Sequence, residues 1–482
     1  MDIKQMTVPI NGTNTTFDIK DAKALSDIAD MEAYVGYVDE NVIGLLADFE
    51  NNTFTRLGGA VGMSAGADFN VYNMYGNRKV CAVQDDGTIS KWYGDDGYVE
   101  DGSIGQIMVR QPKFYYKVVP LKLQKIEPED ETQTDVKGYH GLKMAYYISD
   151  KPLPGFKLHP AFINAEGEEV DCYYIGSYEA SLWDTSENEY RKYDTWDVSE
   201  SGGVYTINAL NTYLADASND KLCSIAGVKP ASGEYSTRFS RQYCNQMGTN
   251  RGTGWGEINI KIASAEQLLF IIEYGLFNSQ SAIENGVVSY ASGSHNESVF
   301  TGSTAFLGNG SGAAISSTRL VSDATAYETN NTAGYKSIRY RGVENFWGDV
   351  LCYIIGINIW GNGKMNGGEP YICDDFNYAE SKNTGNYKPI GFTNTGLQTG
   401  IRYFGYSKTY DYVFIPSLSG HGATSILPIG DGSYSSPKLN AYRGLSLGGE
   451  YNRGRGAGFF CTFVNIPPSY RYRNLGSRLI KV

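Results

Sequence analysis

The segment 442–482 carries the densest set of side chains suited to molecular recognition. Tyrosine and arginine contribute most contact energy at binding surfaces, and tyrosine does so with little loss of side-chain entropy. Here they stand between glycines, which let the backbone turn sharply and approach itself closely. The segment therefore predicts a binding surface on a strand-and-turn frame, with these candidate ligand-binding residues: Glu450, Tyr451, Arg453, Arg455, Phe459, Phe463, Tyr470, Arg471, Tyr472 and Arg473.

An alternative interpretation is a terminal hairpin whose aromatic side chains fill a core. Four of the candidates, Arg453, Arg455, Arg471 and Arg473, are difficult to bury without partners and favour a surface. Residues 441–482 hold seven basic residues against one acidic residue, on a chain whose net charge is −12. A basic tip on an acidic body suits an anionic target, although a solvated basic patch without a partner has the same composition.

Residue types that support catalysis or metal binding are sparse. The four histidines do not stand at metal-ligand spacing, and the seven cysteines form no CxxC pair, so we expect no metal, no cofactor and mostly buried thiols. Neither a GxSxG motif nor a phosphate-binding loop occurs. Scattered carboxylates such as Glu179 and Glu344 cannot be paired without geometry. The sequence thus predicts a binding protein rather than an enzyme.

Length and composition bound the remaining classes. With 482 residues, 41% hydrophobic and 20% charged, the chain suits a folded protein of more than one domain. It contains no apolar run of transmembrane length and begins with no signal peptide, so we expect no membrane insertion. The acidic net charge argues against nucleic-acid binding. We expect the protein to be made and assembled in a cytoplasm, or to leave the cell by another route such as release of an assembled particle.

The N-terminal region combines a hairpin signal with a heptad pattern. Residues on either side of Asn11-Gly12 predict two short strands. Apolar residues then follow a 3-4 spacing, which predicts an oligomerising coiled-coil helix over 25–50 and permits a homotrimer. A single amphipathic helix packed on its own domain is the alternative. The seam consists of Ile28, Met31, Val35, Val38, Val42, Leu45 and Phe49.

Farther along, glycines and short apolar runs predict β structure. Residues 51–150 read as a β-rich unit, in which Asp85-Asp86-Gly87-Thr88 is a hairpin turn. A larger unit follows from residue 151. Its clearest helix follows Ser264, which with Gln267 has the pattern of a capping box.

Several stretches resemble known families. The opening, PINGTNTTFDIKDAKA, resembles the start of phage tail-fibre proteins. Four later segments resemble segments of the formylglycine-generating-enzyme and sulfatase-modifying-factor family, in the same order along the chain. They lie at 174–181, 263–275, 344–350 and 448–479. That resemblance implies a C-type-lectin-like fold over about 153–482. The copper-dependent oxidases of the family carry a close cysteine pair near the C-terminus, whereas Cys461 stands alone in that region.

The C-terminal block is more similar to a non-catalytic branch, the variable proteins of diversity-generating retroelements, which include phage tropism determinants. The frame glycines match at Gly448, Gly449, Gly454, Gly458 and Gly476. The diversified positions of that family fall on the candidates above and add Asn452 and Cys461. The chain departs from the pattern at Tyr451, where tryptophan is usual, and at Ile466-Pro467-Pro468.

Residues and resemblance together predict an α+β protein: tail-attachment strands at 1–24, a coiled-coil helix at 25–50, a β-rich adaptor or fibre domain at 51–150, and a C-type-lectin-like receptor-binding domain at 151–482 with its variable region at about 442–480. The predicted function is attachment of a phage virion to the host surface, as a tail-fibre or tail-tip protein. The predicted partners are a host receptor, either protein or anionic glycan, and phage tail or baseplate proteins. A formylglycine-generating-type oxidase and a bacterial surface adhesin remain alternatives.

Overall fold

A computed structural model describes most of the chain. It covers residues 5–10, 13–18, 41–129, 131–191, 196–201, 204–210, 215–232, 239–288, 298–314, 336–364, 367–394, 399–420, 427–435, 440–472 and 474–482. For 5–10, 13–18, 196–201, 204–210 and 399 it describes the backbone alone.

Helices are short and few in the described ranges. The α-helices are α1 (Asn73–Gly76), α2 (Arg241–Thr249), α3 (Ile260–Tyr274) and α4 (Ser279–Ala282). Single 3-10 turns occupy Ala67–Val71, Pro160–Phe162, Ala305–Leu307 and Gly454–Gly456. Among the described residues, no helix is both long enough and apolar enough to cross a membrane.

Strands make up most of the regular structure. Those of the first half are β1 (Gln5–Ile10), β2 (Thr13–Asp18), β3 (Val42–Asp48), β4 (Thr53–Gly58), β5 (Lys79–Val83), β6 (Ile89–Trp92), β7 (Gln106–Pro112), β8 (Tyr115–Lys125), β9 (Tyr139–Ser149), β10 (Lys157–Leu158), β11 (Cys172–Gly176), β12 (Ser181–Asp184), β13 (Glu189–Arg191), β14 (Trp196–Ser201), β15 (Val204–Leu210) and β16 (Lys221–Cys223). Those of the second half are β17 (Trp255–Glu257), β18 (Gly312–Ala313), β19 (Ile338–Tyr340), β20 (Val343–Glu344), β21 (Leu351–Asn362), β22 (Glu369–Cys373), β23 (Tyr387–Pro389), β24 (Thr399–Tyr406), β25 (Pro416–Ser419), β26 (Gly432–Ser435), β27 (Asn440–Gly448), β28 (Gly458–Val464), β29 (Leu475–Gly476) and β30 (Leu479–Lys481).

Two sheets organise the molecule. The larger has fourteen strands, ten of them in the order β10-β8-β9-β24-β26-β28-β27-β21-β22-β23, with β3, β4, β25 and β29 pairing onto that path. The smaller has six strands in the order β17-β30-β11-β7-β5-β6. Strands from before and after residue 150 pair in both sheets, for example β9 with β24 and β7 with β11. The two halves of the chain therefore share their sheets.

The core is built around α3, which is buried from Ile260 to Glu273. Asn259 caps its start by accepting a hydrogen bond from the Ile262 amide at 3.0 Å, and Gly275 ends it at a left-handed φ of 69°. The capping box predicted at Ser264 is wrong, because the Ser264 hydroxyl donates to the Ile260 carbonyl inside the helix. The Gln267 amide instead donates to the carbonyl of Phe459 in β28, at 2.8 Å.

Glu266 and Glu273 of α3 are buried, and each is paired with residues from distant parts of the chain. Glu266 forms an ion pair with Arg78 at 2.8 Å and accepts a hydrogen bond from the Tyr173 hydroxyl at 2.8 Å. Glu273 pairs with Arg341 at 2.6 Å and accepts from the Gly66 amide at 2.9 Å. Buried carboxylates are tolerated when paired in this way, so these contacts fix residues 66–78 against the helix.

The predicted fold class is wrong, since the described structure is predominantly β and is not an α+β protein with an N-terminal coiled coil. Of the predicted seam, Val42 and Leu45 lie in strand β3, and Phe49 follows it against Phe277 with ring centroids 5.0 Å apart. Strand β3 lies between β4 and β9, and all its residues from Val42 to Ala47 are buried. Apolar residues therefore occur at consecutive positions, and a heptad spacing can be picked out among them without a helix. Ile28, Met31, Val35 and Val38 lie outside the described residues.

Two local predictions are confirmed. Strands β1 and β2 pair as an antiparallel hairpin on either side of Asn11-Gly12. Strands β5 and β6 pair antiparallel across the turn at Asp85-Asp86-Gly87-Thr88. Both signals are short and local, so burial elsewhere in the fold does not change them.

Candidate functional site: the C-terminal loops

Strands β27 and β28 form the frame of the candidate site. They pair antiparallel, with Ser446 opposite Phe463, and β28 also pairs in parallel with β26. We call residues 449–457, between these strands, the first loop, and residues 465–474, after β28, the second loop. Gly449 starts the first loop with a φ of 80°, and a Cβ there would lie 2.7 Å from the Cβ of Ala457. Only glycine therefore fits where the loop closes on itself.

The first loop is seated by backbone hydrogen bonds. The Tyr451 amide donates to the Asp349 carbonyl at 2.9 Å, and the Gly454 amide donates to the Val288 carbonyl at 2.6 Å. The Gln280 side chain donates to the Gly454 carbonyl at 3.1 Å. The Tyr451 side chain is buried with two valines from neighbouring segments. These contacts fix the loop at several points along its length.

A buried charge pair supports the same loop. Glu450, which is 2% exposed, forms an ion pair with Arg453. The Arg453 guanidinium lies 4.5 Å from the ring centroid of Tyr434 and 4.7 Å from that of Phe463. Those two rings stack with centroids 4.4 Å apart. Stacking and ion pairing together hold Arg453 in one orientation, with 26% of its side chain exposed.

The second loop presents its large side chains outward. Tyr470 and Tyr472 are each 40% exposed, and their rings stack with centroids 6.2 Å apart and planes 20° apart. The Tyr353 hydroxyl donates to the Tyr470 carbonyl at 2.5 Å, and the Gly444 amide donates to the Ile466 carbonyl at 3.1 Å. The loop is thus tied to β21 and β27 through its backbone, and its aromatic rings face solvent.

The predicted ligand-binding residues fall into three groups. Asn452, Arg455, Tyr470, Arg471 and Tyr472 are exposed, and Arg453 is half-buried; we call these six residues the recognition surface. Glu450, Tyr451, Phe459, Cys461 and Phe463 are buried. Arg473 lies outside the described residues.

The buried group lies mostly in β28, which is covered on both faces. Phe459 stacks on Phe346 with centroids 4.5 Å apart, and Phe463 stacks on Tyr434. Cys461 is fully buried, and burial raises the pKa of its thiol well above the usual value. A neutral buried thiol is a weak nucleophile and a weak metal ligand. Among the described residues, no group of three or more metal-ligating side chains is placed to hold an ion.

A carboxyl pair beneath the first loop was not foreseen as a pair. Asp349, whose carbonyl seats Tyr451, lies next to Glu179, and both side chains are buried. Burial raises the pKa of Glu179 to about 7. Burial and the charge of Glu179 raise the pKa of Asp349 well above its usual value. Two adjacent carboxyl groups without water retain a proton near neutral pH. Their separation in sequence gave no signal of this pairing.

Tyr434 is a further residue that sequence analysis missed. It lies in β26, and the parallel pairing of β26 with β28 places it opposite Phe463. Since this pairing joins strands more than 20 residues apart, a local pattern could not reveal it.

Comparison with known proteins returns distant likenesses only. No family model matches the chain, and no curated protein matches it. Among solved structures, the chain is similar to the Major Tropism Determinant P3c variant at 12% identity, covering 87% of this chain and 73% of that one, with a TM-score of 0.24. The U1 variant (13% identity, 89% and 77% covered) and the I1 variant (12%, 89% and 77%) each have a TM-score of 0.23. TM-scores of 0.24 and 0.23 do not establish a shared function.

Proposed function

We propose that this chain is a receptor-binding protein of a phage tail, and that it attaches the virion to a host cell through the recognition surface. The observation that carries the proposal is the exposure of Tyr470, Arg471 and Tyr472 beside one another on a loop tied to the sheet. The resemblance of residues 447–480 to variable proteins of diversity-generating retroelements supports the same assignment.

Binding at this surface needs no bond to be made or broken. Rigid tyrosine rings supply contact area at low entropic cost, and arginine supplies hydrogen bonds to carboxylate or phosphate groups. The surface carries the basic residues Arg453, Arg455 and Arg471 and no acidic residue. We therefore propose a receptor with an anionic face, which can be a protein or a glycan.

Attachment by a tail protein also involves several copies of the binding surface. Linked copies convert weak single sites into strong attachment without any new contact. We propose self-association, with the homotrimer as the specific expectation, and docking to tail or baseplate proteins. The molar mass of the full chain by light scattering tests the first of these directly.

The test of attachment compares binding of fluorescently labelled protein to a panel of bacterial strains. We expect wild-type protein to label some strains, and the quadruple variant Arg455→Ala/Tyr470→Ala/Arg471→Ala/Tyr472→Ala to bind them at least tenfold less, because it removes the exposed contact groups. The matched control, Tyr139→Ala/Phe306→Ala, removes exposed aromatic rings elsewhere, 47% and 62% exposed. Equal labelling by the wild type and the quadruple variant would reject the recognition surface.

A further inference from the structure

A cleft of about 890 Å³ lies away from the C-terminal loops. It opens between the β5–β6 turn, the end of α2, strand β17, the end of β30 and the loop that follows β22. None of its lining residues belongs to the recognition surface. Its volume lies within the range of about 300–1,000 Å³ that small-ligand sites occupy.

The charged groups along one wall already compensate one another. Asp85 forms an ion pair with Arg251 and another with Lys221, the latter at 2.8 Å. Lys481 donates a hydrogen bond to the Thr253 carbonyl at 3.0 Å, and its ammonium lies 5.7 Å from the ring centroid of Trp255. This wall therefore presents no strong excess of either charge to a ligand.

A buried polar group completes the wall. Glu257 is fully buried, and one of its oxygens accepts a hydrogen bond from the Ser477 hydroxyl at 2.7 Å. Its other oxygen has no hydrogen-bond partner among the described residues. Burial raises the pKa of Glu257 well above its usual value, so the group is a neutral acid that both donates and accepts.

The opposite side of the cleft is aromatic and polar. Phe376 and Tyr378 are half-buried, with ring centroids 5.9 Å apart. Asn245 on α2 faces them, and its side chain makes no hydrogen bond within the described ranges. Exposed Asp86 and Glu166 stand at the rim. Aromatic faces beside amide, hydroxyl and carboxyl groups are the surroundings in which a polyhydroxylated ring binds, since its C–H face packs on the rings.

We propose that this cleft binds a neutral saccharide, with Phe376 and Tyr378 packing on a sugar face and with Asn245 hydrogen-bonding its hydroxyl groups. An anion would meet the rim carboxylates Asp86 and Glu166. A cation would meet Lys481 and Arg251. A neutral ligand with many hydroxyl groups can hydrogen-bond to both the donors and the acceptors of the cleft. It is repelled neither by the rim carboxylates nor by the basic side chains. This assignment does not depend on the recognition surface.

The test applies the full-length chain to an array of immobilised neutral oligosaccharides of hexoses and N-acetylhexosamines, with sialylated, sulfated and phosphorylated oligosaccharides beside them. We expect signal on neutral oligosaccharides, reduced at least tenfold in Asn245→Ala/Phe376→Ala. The matched control is Tyr243→Ala, which removes an exposed ring from α2 without touching the cleft. The quadruple surface variant should retain the signal, so failure of this proposal and failure of host attachment are distinguishable.

The proposal is overturned by three results: no neutral spot above background, signal confined to anionic oligosaccharides, or equal signal from wild type and Asn245→Ala/Phe376→Ala. The thermal unfolding midpoint of the double variant shows whether it folds. If it does not, the single substitution Phe376→Ala replaces it, because this substitution removes a ring on which the sugar face packs and leaves α2 unchanged. A tenfold loss in that variant supports the cleft, and an unchanged signal rejects it.

Discussion

The two C-terminal loops have similar compositions and use them differently. In the first loop, Glu450 and Tyr451 are buried, and Arg453 is held by an ion pair and two rings. In the second loop, Tyr470 and Tyr472 are exposed, and the Tyr353 hydroxyl holds the backbone carbonyl of Tyr470. Most of the large side chains of the first loop stabilise the loop itself. In the second loop, Tyr470 and Tyr472 each leave 40% of their surface exposed to solvent. Residue type alone thus does not separate support from contact.

The sharpest contrast is between Phe459, in β28 just after the first loop, and Tyr472 in the second loop. Phe459→Ala should lower the free energy of unfolding by about 4 kcal/mol, because it empties space among Phe346, Phe270 and Trp347. Tyr472→Ala should change it by no more than about 0.5 kcal/mol. Urea unfolding of both variants measures the difference, and comparable losses would show that the loops do not differ in this way.

A smaller effect is expected from Glu450. Glu450→Ala leaves the half-buried Arg453 guanidinium without its counter-charge and should cost about 2 kcal/mol, below the usual loss for a fully buried pair because Arg453 is partly exposed. Glu450→Ala/Arg453→Ala should recover part of that loss, and Arg471→Ala in the second loop should change little. Urea unfolding midpoints check all three. A double variant less stable than the single would contradict the pairing.

A pH-dependent effect is expected from the carboxyl pair beneath the first loop. Glu179 keeps its proton in the folded protein to about pH 7, whereas the unfolded chain releases it near 4.5. Stability from this group is therefore complete below pH 4.5 and is lost as pH rises toward 7, by an amount on the order of 3 kcal/mol. Glu179→Gln removes the titration, so its unfolding free energy should fall less over that interval.

Two buried histidines change the free energy of unfolding with pH in the opposite direction. The effect of Glu179 is therefore measured as the difference between wild type and Glu179→Gln. Burial lowers the pKa of His140 to about 4 and that of His159 to about 3, from 6.5 in both. Their contribution is present above pH 6.5 and is lost as pH falls. Since both proteins contain these histidines, the difference between wild type and Glu179→Gln isolates the carboxyl pair. Parallel pH profiles for the two proteins would count against the assignment.

Turn signals in the sequence predicted two hairpins correctly, whereas the capping-box signal at Ser264 was wrong. Asn11-Gly12 and Asp85–Thr88 gave two hairpins because turn chemistry depends on few neighbours. The heptad spacing failed because β3 is buried on both faces, which makes strand and helix periods indistinguishable. The same cause hid the fate of Phe459, Cys461 and Phe463, which lie in the doubly covered β28.

Exposure in the candidate site depended on contacts between distant segments. Arg453 is half-buried because Tyr434 and Phe463 meet across a parallel strand pair. Tyr470 remains outside because Tyr353 holds its backbone rather than its ring. The sequence therefore identified a candidate segment, but which of its residues are exposed follows from the tertiary structure.

Strand β30 lies between β11 and β17 in the six-stranded sheet, so residues near 480 pair with residues near 175. During synthesis on the ribosome, roughly 300 residues are added after β11 before its partner strand β30 is made. Until then both β11 and β17 expose unpaired backbone edges, which invite association with other nascent chains. A product truncated before β30 would keep those edges open, so quality control by chaperones and proteases should act on it selectively.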